Sequence, residues 1–292
     1  MNQNKKKAWR GVWLYRRLYH QLFLKKFPPI LSNSFQKAGT HLLLGAVSNL
    51  PHYGRYGRQA NFHYLERARV VARKIPTVST VIQRFQHVFP GEVFKGHICA
   101  HPEIVNFLDR SDFRHLFIYR DLRDVVVSMF FGWKKNEGVI DTWPFRYFQS
   151  LPSDHDRIQF VISGWPINIP SGDFPGEVDY PNIGERFLEN LPWLSNKNCL
   201  ALQFENLAPS DKRQKTLEDI ANYLVGEHIT STERDMMVLA MEEGCNPANS
   251  KTFRKGTGGE WKEYFTKEHK KSFKDIAGQI LIDLGYEKDF DW

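Results

Sequence analysis

An apolar run that stops at a small polar loop and restarts as a helix is the feature that most limits what this chain can fold into. Ile30-Leu31-Ser32-Asn33-Ser34-Phe35 reads as a short strand, Gln36-Lys37-Ala38-Gly39 as a turn, and Thr40–Leu50 as a buried helix that Pro51 closes. The alternation returns along the chain. Pro76–Phe89 is helical in pattern, and Pro90-Gly91 turns into a strand at Val93–Ile98. Phe113–Arg120 is a strand that leads into a helix at Asp124–Trp133. A helix at Ile183–Leu191, a strand at Cys199–Phe204 and a helix at Gln214–Val225 follow, with further helices at Thr232–Glu243 and Lys267–Leu284. Strands separated by helices pair in parallel, and the helices cover both faces of the sheet. The expected fold is therefore α/β: a single domain with a mostly parallel central sheet flanked by helices.

Three stretches fall outside this alternation. Residues 9–27 interleave aromatic or aliphatic positions with basic ones near helical spacing, so residues 1–28 read as a basic amphipathic helix ahead of a domain at 29–292. Such a helix would pack on its own domain or rest in weak contact on a membrane surface, and both readings stand. Residues 52–63, rich in His, Tyr, Gly and Arg, read as a loop. Residues 138–181, crowded with Pro, Gly, Asp and Trp, read as an irregular lid or pocket wall over an acceptor site.

Cys99, Cys199 and Cys245 are too few for a disulfide framework and lack the spacing of a zinc site. Cys99 and Cys199 sit in or beside apolar runs and read as buried free thiols of a reducing compartment. No run approaches the ~18–20 apolar residues needed to span a bilayer, and a cytoplasmic protein is expected. The net charge of +7 would suit a nucleic-acid or membrane-surface binder. The cations, however, gather in short motifs, not along one face, so no nucleic-acid partner is expected.

Four segments carry chemistry. The loop Phe35–His41 joins a strand to a helix and aims backbone N–H groups and a helix N-terminus at one point, a setting for a phosphate or sulfate; Lys37 adds a mobile charge and Thr40 a hydroxyl. It is not a Walker A loop, because G-x-x-x-x-G-K-[ST] is absent. In Tyr119-Arg120-Asp121-Leu122-Arg123-Asp124, Arg120 ends a strand and Asp124 is placed to cap the next helix; Ser128, one turn further, comes close enough to share an anion with Arg120. Phe253-Arg254-Lys255-Gly256-Thr257-Gly258-Gly259 reads as a cationic flap. Lys95-Gly96-His97 ends a strand, and in a parallel sheet the carboxyl ends of the strands line the ligand crevice.

At these segments the sequence resembles the sulfotransferases that use 3′-phosphoadenosine 5′-phosphosulfate (PAPS). Ser34–Leu42 is similar to the family loop T-Y-P-K-S-G-T-T-W, which holds the 5′-phosphosulfate. Tyr119–Asp124 with Ser128 resembles R-N-P-K-D-x-x-x-S, which holds the 3′-phosphate, and Arg254–Trp261 resembles R-K-G-x-x-G-D-W. Lys95-Gly96-His97 matches K-x-H, and Gln203-Phe204-Glu205-Asn206-Leu207 resembles Y-E-D-L. The resemblance implies a P-loop-like sulfotransferase fold, an enzyme, PAPS as donor and no metal. It implies His97 and Lys37 as catalytic groups. Lys37, Ala38, Gly39, Thr40, His41, Leu42, Arg120, Ser128, Phe204, Arg254, Lys255 and Gly256 would hold the nucleotide. Lys95, Phe131 and Trp133 would face a small-molecule acceptor, a secondary metabolite with a hydroxyl or amine. The departures are Gln36 for Pro, Ala38 for Ser, His41 for Thr, and Leu42 for the Trp that stacks on adenine. The family's Thr-Ser-Phe element is absent near residues 241–246, which read MEEGCN. The rival to this reading is a small-molecule kinase that needs ATP and Mg²⁺.

Overall fold

The strands Ile30–Ser34 (β1), Gln59–Phe62 (β2), Val93–Ile98 (β3), Arg114–Tyr119 (β4) and Cys199–Gln203 (β5) pair only in parallel, in the order β2-β3-β1-β4-β5. They were located in a computed structural model that describes residues 18–20, 22–54, 59–62, 77–135, 143–164, 180–226, 230–246 and 256–292. The sheet is expected from the sequence; β2 is not. Gln59–Phe62 lies inside the stretch read as a loop and pairs with β3 at the register Gln59↔Lys95. A four-residue edge strand shows no alternation long enough to detect, so its partner rather than its own pattern defines it.

Successive strand residues point to opposite faces, and both faces are buried. Leu31 and Phe117 join one apolar cluster with Val126, Phe160, Phe187 and Phe273 from the helices Leu122–Lys135, Asp154–Ser163, Ile183–Leu188 and Lys267–Asp283. Ile30, Val93 and Ile118 join the other, with Leu43, Leu217 and Met241 from the helices Thr40–Ser48, Ser210–Val225 and Ser231–Gly244. A sheet covered on both sides leaves its strand ends as the place where polar groups can gather.

Two sequence readings need correction. Residues 138–181 are not irregular throughout: the described part holds the helices Trp143–Ser150 and Asp154–Ser163. The Ser153 hydroxyl caps the second by accepting the Asp156 N–H at 3.1 Å, and Ile158, Phe160, Val161 and Ile162 bury its inner face. Its polar opening, Asp154-His155-Asp156-Arg157, masks that face in the sequence. Residues 138–142 and 165–179, and with them Trp165, lie outside the described residues. The helix Pro102–Asp109, with Pro at its start and His101 capping Glu103, has no forecast in the sequence either. None of the three cysteines forms a disulfide; Cys99 and Cys245 are buried, while Cys199 is half-buried, not the buried thiol expected of it.

Most of the basic N-terminal helix, residues 1–17, lies outside the described residues. Where it becomes describable, its two sides differ. His20 is buried, its Nδ1 lying 2.5 Å from the Pro90 carbonyl, and Leu24 packs against Gly91. Leu18, Tyr19, Leu22 and Phe23 are exposed. Among the described residues no helix is long and apolar enough to cross a membrane.

Candidate active site

β1 ends at Ser34, and the chain turns sharply before the next helix. Lys37 takes a left-handed conformation with φ 64°, and Gly39 follows with φ 105° at the N-cap of Thr40–Ser48. A non-glycine residue pays for positive φ, so the loop is held in its shape by its surroundings. No side chain caps the helix; its start is closed by backbone, the Gly39 carbonyl accepting the Leu42 and Leu43 N–H groups at 3.0 and 3.1 Å. Gly39 has a second reason to be glycine: a Cβ there would fall 2.6 Å from the Phe204 ring. The Lys37 side chain lies over the helix Leu122–Lys135 at Gly132, where a Cβ would fall 2.5 Å from its Nζ. A cation is thereby seated in a groove cut by a missing side chain. Ala38 is buried in the core, Leu42 is half-buried and His41 is exposed.

His97 stands beside this loop because β3 neighbours β1 in the sheet. Its Nδ1 lies 3.0 Å from the Ser34 carbonyl and 3.1 Å from the Ser34 hydroxyl, which in turn meets the Thr40 hydroxyl at 2.7 Å. A carbonyl can only accept, so Nδ1 carries the proton and the lone pair sits on Nε2. Burial, aided by the charges of Lys95, His41 and Lys37, lowers the His97 pKa to about 4, so the ring is neutral at pH 7. Lys95, two residues back, projects from the same face of β3.

Beneath His97 a polar network fixes the strand ends. The Asn33 carboxamide donates to the Ile98 carbonyl at 2.9 Å and accepts the Ile98 and Ser34 N–H groups at 2.9 and 3.0 Å. The Trp193 indole also donates to the Ile98 carbonyl, at 2.9 Å, and packs edge-on against His115. Neither Ser34 nor Asn33 stands out in the sequence; small polar residues inside an otherwise apolar strand were the available signal.

Arg120, just past β4, is 6% exposed. Its guanidinium lies 4.3 Å over the Phe204 ring, donates to the Thr257 carbonyl at 2.8 Å and approaches Asp124 at 3.5 Å. Its Nε–H is buried with no hydrogen-bond partner among the described residues. Asp124 is not the helix cap that the sequence suggests. Asp121 fills that place, accepting the Arg123 N–H at 2.9 Å, and the helix begins at Leu122. Asp124 instead accepts the Gly259 N–H at 2.7 Å and the Trp261 N–H at 3.0 Å, latching the glycine loop to the helix. Desolvation raises its pKa, and Arg120 and the two N–H groups oppose that rise. Ser128 is half-buried one turn further along. Gly256 is described; Arg254 and Lys255 lie outside the described residues.

The four motifs thus meet in two pairs at one end of the sheet: the loop after β1 with His97, and the loop after β4 with the described part of the glycine flap. Phe204 touches both halves, wedged between Gly39 and Arg120. Phe131 and Trp133 flank Gly132 in the helix and point to different sides. Phe131 meets Tyr264 edge-on at 5.1 Å, and Trp133 packs among Phe148, Phe160 and Tyr180.

No known family profile matches the sequence, and no curated protein matches it. Solved structures do. The chain is similar to mouse sulfotransferase SULT7A1 complexed with PAP, at 16% identity over 90% of each chain with a TM-score of 0.56. It is also similar to retinol dehydratase in a complex with retinol and PAP, at 15% identity over 88% of this chain and 82% of that one, with a TM-score of 0.50. The fold defined by the five parallel strands and their helices is the sulfotransferase fold.

Proposed function

We propose that this chain is a PAPS-dependent sulfotransferase, moving a sulfuryl group from PAPS to the hydroxyl or amine of a small-molecule acceptor, such as a secondary metabolite. The observation that carries the reading is the convergence of Lys37, a neutral His97 and a buried Arg120 at adjoining strand ends. The mouse structure holds PAP and that of retinol dehydratase holds PAP with retinol, an apolar alcohol, which supports both halves of the proposal.

The residues fit such a nucleotide. The uncapped helix start and the Lys37–His41 loop suit the 5′-phosphate, with Ala38, Gly39 and Leu42 bringing backbone close. Arg120, with an unspent buried Nε–H, suits the 3′-phosphate together with Ser128, Gly256 and, from the sequence, Arg254 and Lys255. Phe204 offers a ring between the two ends in a chain that has Leu42 where the family has Trp.

In the proposed reaction the acceptor hydroxyl loses its proton to His97 Nε2 as its oxygen bonds to sulfur. The bond from sulfur to the 5′-phosphate oxygen breaks with its electron pair, and Lys37 balances the charge that builds on that oxygen. Lys95, Phe131 and Trp133 would line the acceptor side. The test is an assay with labelled PAPS over a panel of alcohols, phenols and amines in excess EDTA, reading 3′-phosphoadenosine 5′-phosphate by mass spectrometry. Product formed from PAPS under these conditions supports the reading; turnover only with ATP and Mg²⁺ replaces it with the kinase.

A further inference from the structure

The segment Gly285–Trp292, after the last helix, folds back on the loops around Arg120 and belongs to none of the motifs. At its near end the Tyr286 hydroxyl donates to Glu205 Oε2 at 2.8 Å, while Glu205 Oε1 accepts the Asp121 N–H at 3.1 Å. Burial holds the Tyr286 pKa well above the usual phenol range, so the hydroxyl stays a donor. At its far end Trp292 covers Arg123. That guanidinium sits in the corner of two nearly perpendicular rings, 4.0 Å from Trp261 and 4.4 Å from Trp292. Its hydrogen bonds go to Asp121, at 3.0 and 2.7 Å, and to Glu287. Arg123 is therefore held by carboxylates and rings on all three of its nitrogens.

The Trp292 indole N–H is buried with no hydrogen-bond partner among the described residues, and the ring is held there by packing: Arg123 and Lys274 against it, and Trp261 edge-on at 5.4 Å. Trp261 is the residue whose N–H binds Asp124, next to the glycine loop whose Thr257 carbonyl holds Arg120. The segment thus braces Arg120 from two sides, through Glu205 and Asp121 before the helix, and through Trp261 and the flap loop that Asp124 holds from the helix.

We propose that Tyr286 and Trp292 are positioning residues for the 3′-phosphate end of the donor site, bracing the flap and the loop after β4 so that Arg120 keeps its aim. This inference rests on the donor reading above. It separates from a general stabilising role because it affects one phosphate of the nucleotide and not the other.

The experiment measures dissociation constants by calorimetry for 3′-phosphoadenosine 5′-phosphate and for AMP, which lacks the 3′-phosphate. It uses the full chain and the variants Trp292→Ala, Trp292→Phe and Tyr286→Phe. Loss of a ring on a buried guanidinium predicts that Trp292→Ala weakens the bisphosphate about tenfold and leaves AMP unchanged. Trp292→Phe recovers most of the loss, and Tyr286→Phe gives a smaller loss of the same kind. KM for PAPS rises in parallel while kcat at saturation stays within about twofold. Equal weakening of both nucleotides, or of neither, overturns the brace. If Trp292→Ala does not fold, Tyr286→Phe decides by the same ratio. A parent protein that binds AMP as tightly as the bisphosphate overturns the donor reading itself.

Discussion

The two ends of the candidate nucleotide site are built by different means. At the Lys37 end, geometry comes from backbone: a left-handed lysine and a left-handed glycine set Lys37 beside Thr40, and the neighbouring strand brings His97 to Ser34 across 63 residues of chain. At the Arg120 end, geometry comes from buried charge. Arg120, Asp121, Arg123 and Asp124 are each 6% exposed or less, and besides pairing with one another they bond to groups 84 to 164 residues away in the chain. A backbone-built site tolerates loss of a side chain, because the loop keeps its shape. A charge-built one does not, because removing one partner leaves the others buried and unpaired.

The largest effect that tests this contrast is on chemistry without loss of structure. His97→Ala lowers kcat by roughly 10²–10⁴-fold, the range for removing a general base, with melting temperature and bisphosphate affinity nearly unchanged. Single-turnover kinetics beside calorimetry checks it, and unaltered turnover removes His97 from the mechanism. Arg120→Ala should behave in the opposite way. Bisphosphate affinity falls by roughly 10²-fold, and the protein also melts lower, because Asp124 and the Thr257 carbonyl lose their partner. Affinity lost with no change in melting would show that the Arg120 end is no more interdependent than the other.

This contrast also explains what could be seen in the sequence. The Lys37 end was legible because its parts are local: Lys37, Gly39 and Thr40 sit within four residues, and His97 closes a strand whose apolar pattern is plain. At the other end the residues were legible and their roles were not. Asp124 looks like a helix cap because it stands where a cap would do its work, and nothing local shows that Gly259 and Trp261, far downstream, claim its oxygens. Tyr286 and Trp292 gave no signal, since an aromatic near a polar tail has no periodicity to break. In the fold, β1, β3, β4 and β5 could be read from apolar runs, whereas β2 could not, because its four residues exist as a strand only through pairing with β3.

A subtler probe stays within the backbone-built end. Gly132→Ala places a methyl group 2.5 Å from the present position of Lys37 Nζ. The obstacle is the far end of a flexible side chain, so the helix keeps its fold, and alanine even favours it by about 1 kcal/mol. The lysine must move, and kcat falls by about tenfold while stability holds or rises. A drop in melting temperature instead would mean that the Lys37 groove belongs to the packing of the helix and not to the site.

The smallest expected effect concerns proton affinity. In the free protein His97 is held at about pH 4 by burial and by the charges of Lys95, His41 and Lys37. Only the neutral ring can take a proton, so kcat/KM, which reports the free enzyme, should be flat near neutrality and fall as pH drops through that value. Bound nucleotide brings negative charge to the same cations and offsets their effect on the ring. The acid limb of kcat, which reports the loaded enzyme, should therefore lie at higher pH, by about one unit. Stability has its own sign. A histidine whose folded pKa is depressed contributes fully above its unfolded value near 6.5, and that contribution is lost as pH falls toward 4. Stability and turnover thus decline over overlapping ranges, and His97→Gln separates them, since it removes this part of the acid destabilisation and abolishes the limb. Coincident kcat and kcat/KM limbs would mean that the charge of the donor does not reach the ring, and that the two ends of the site are electrostatically as separate as they are structurally.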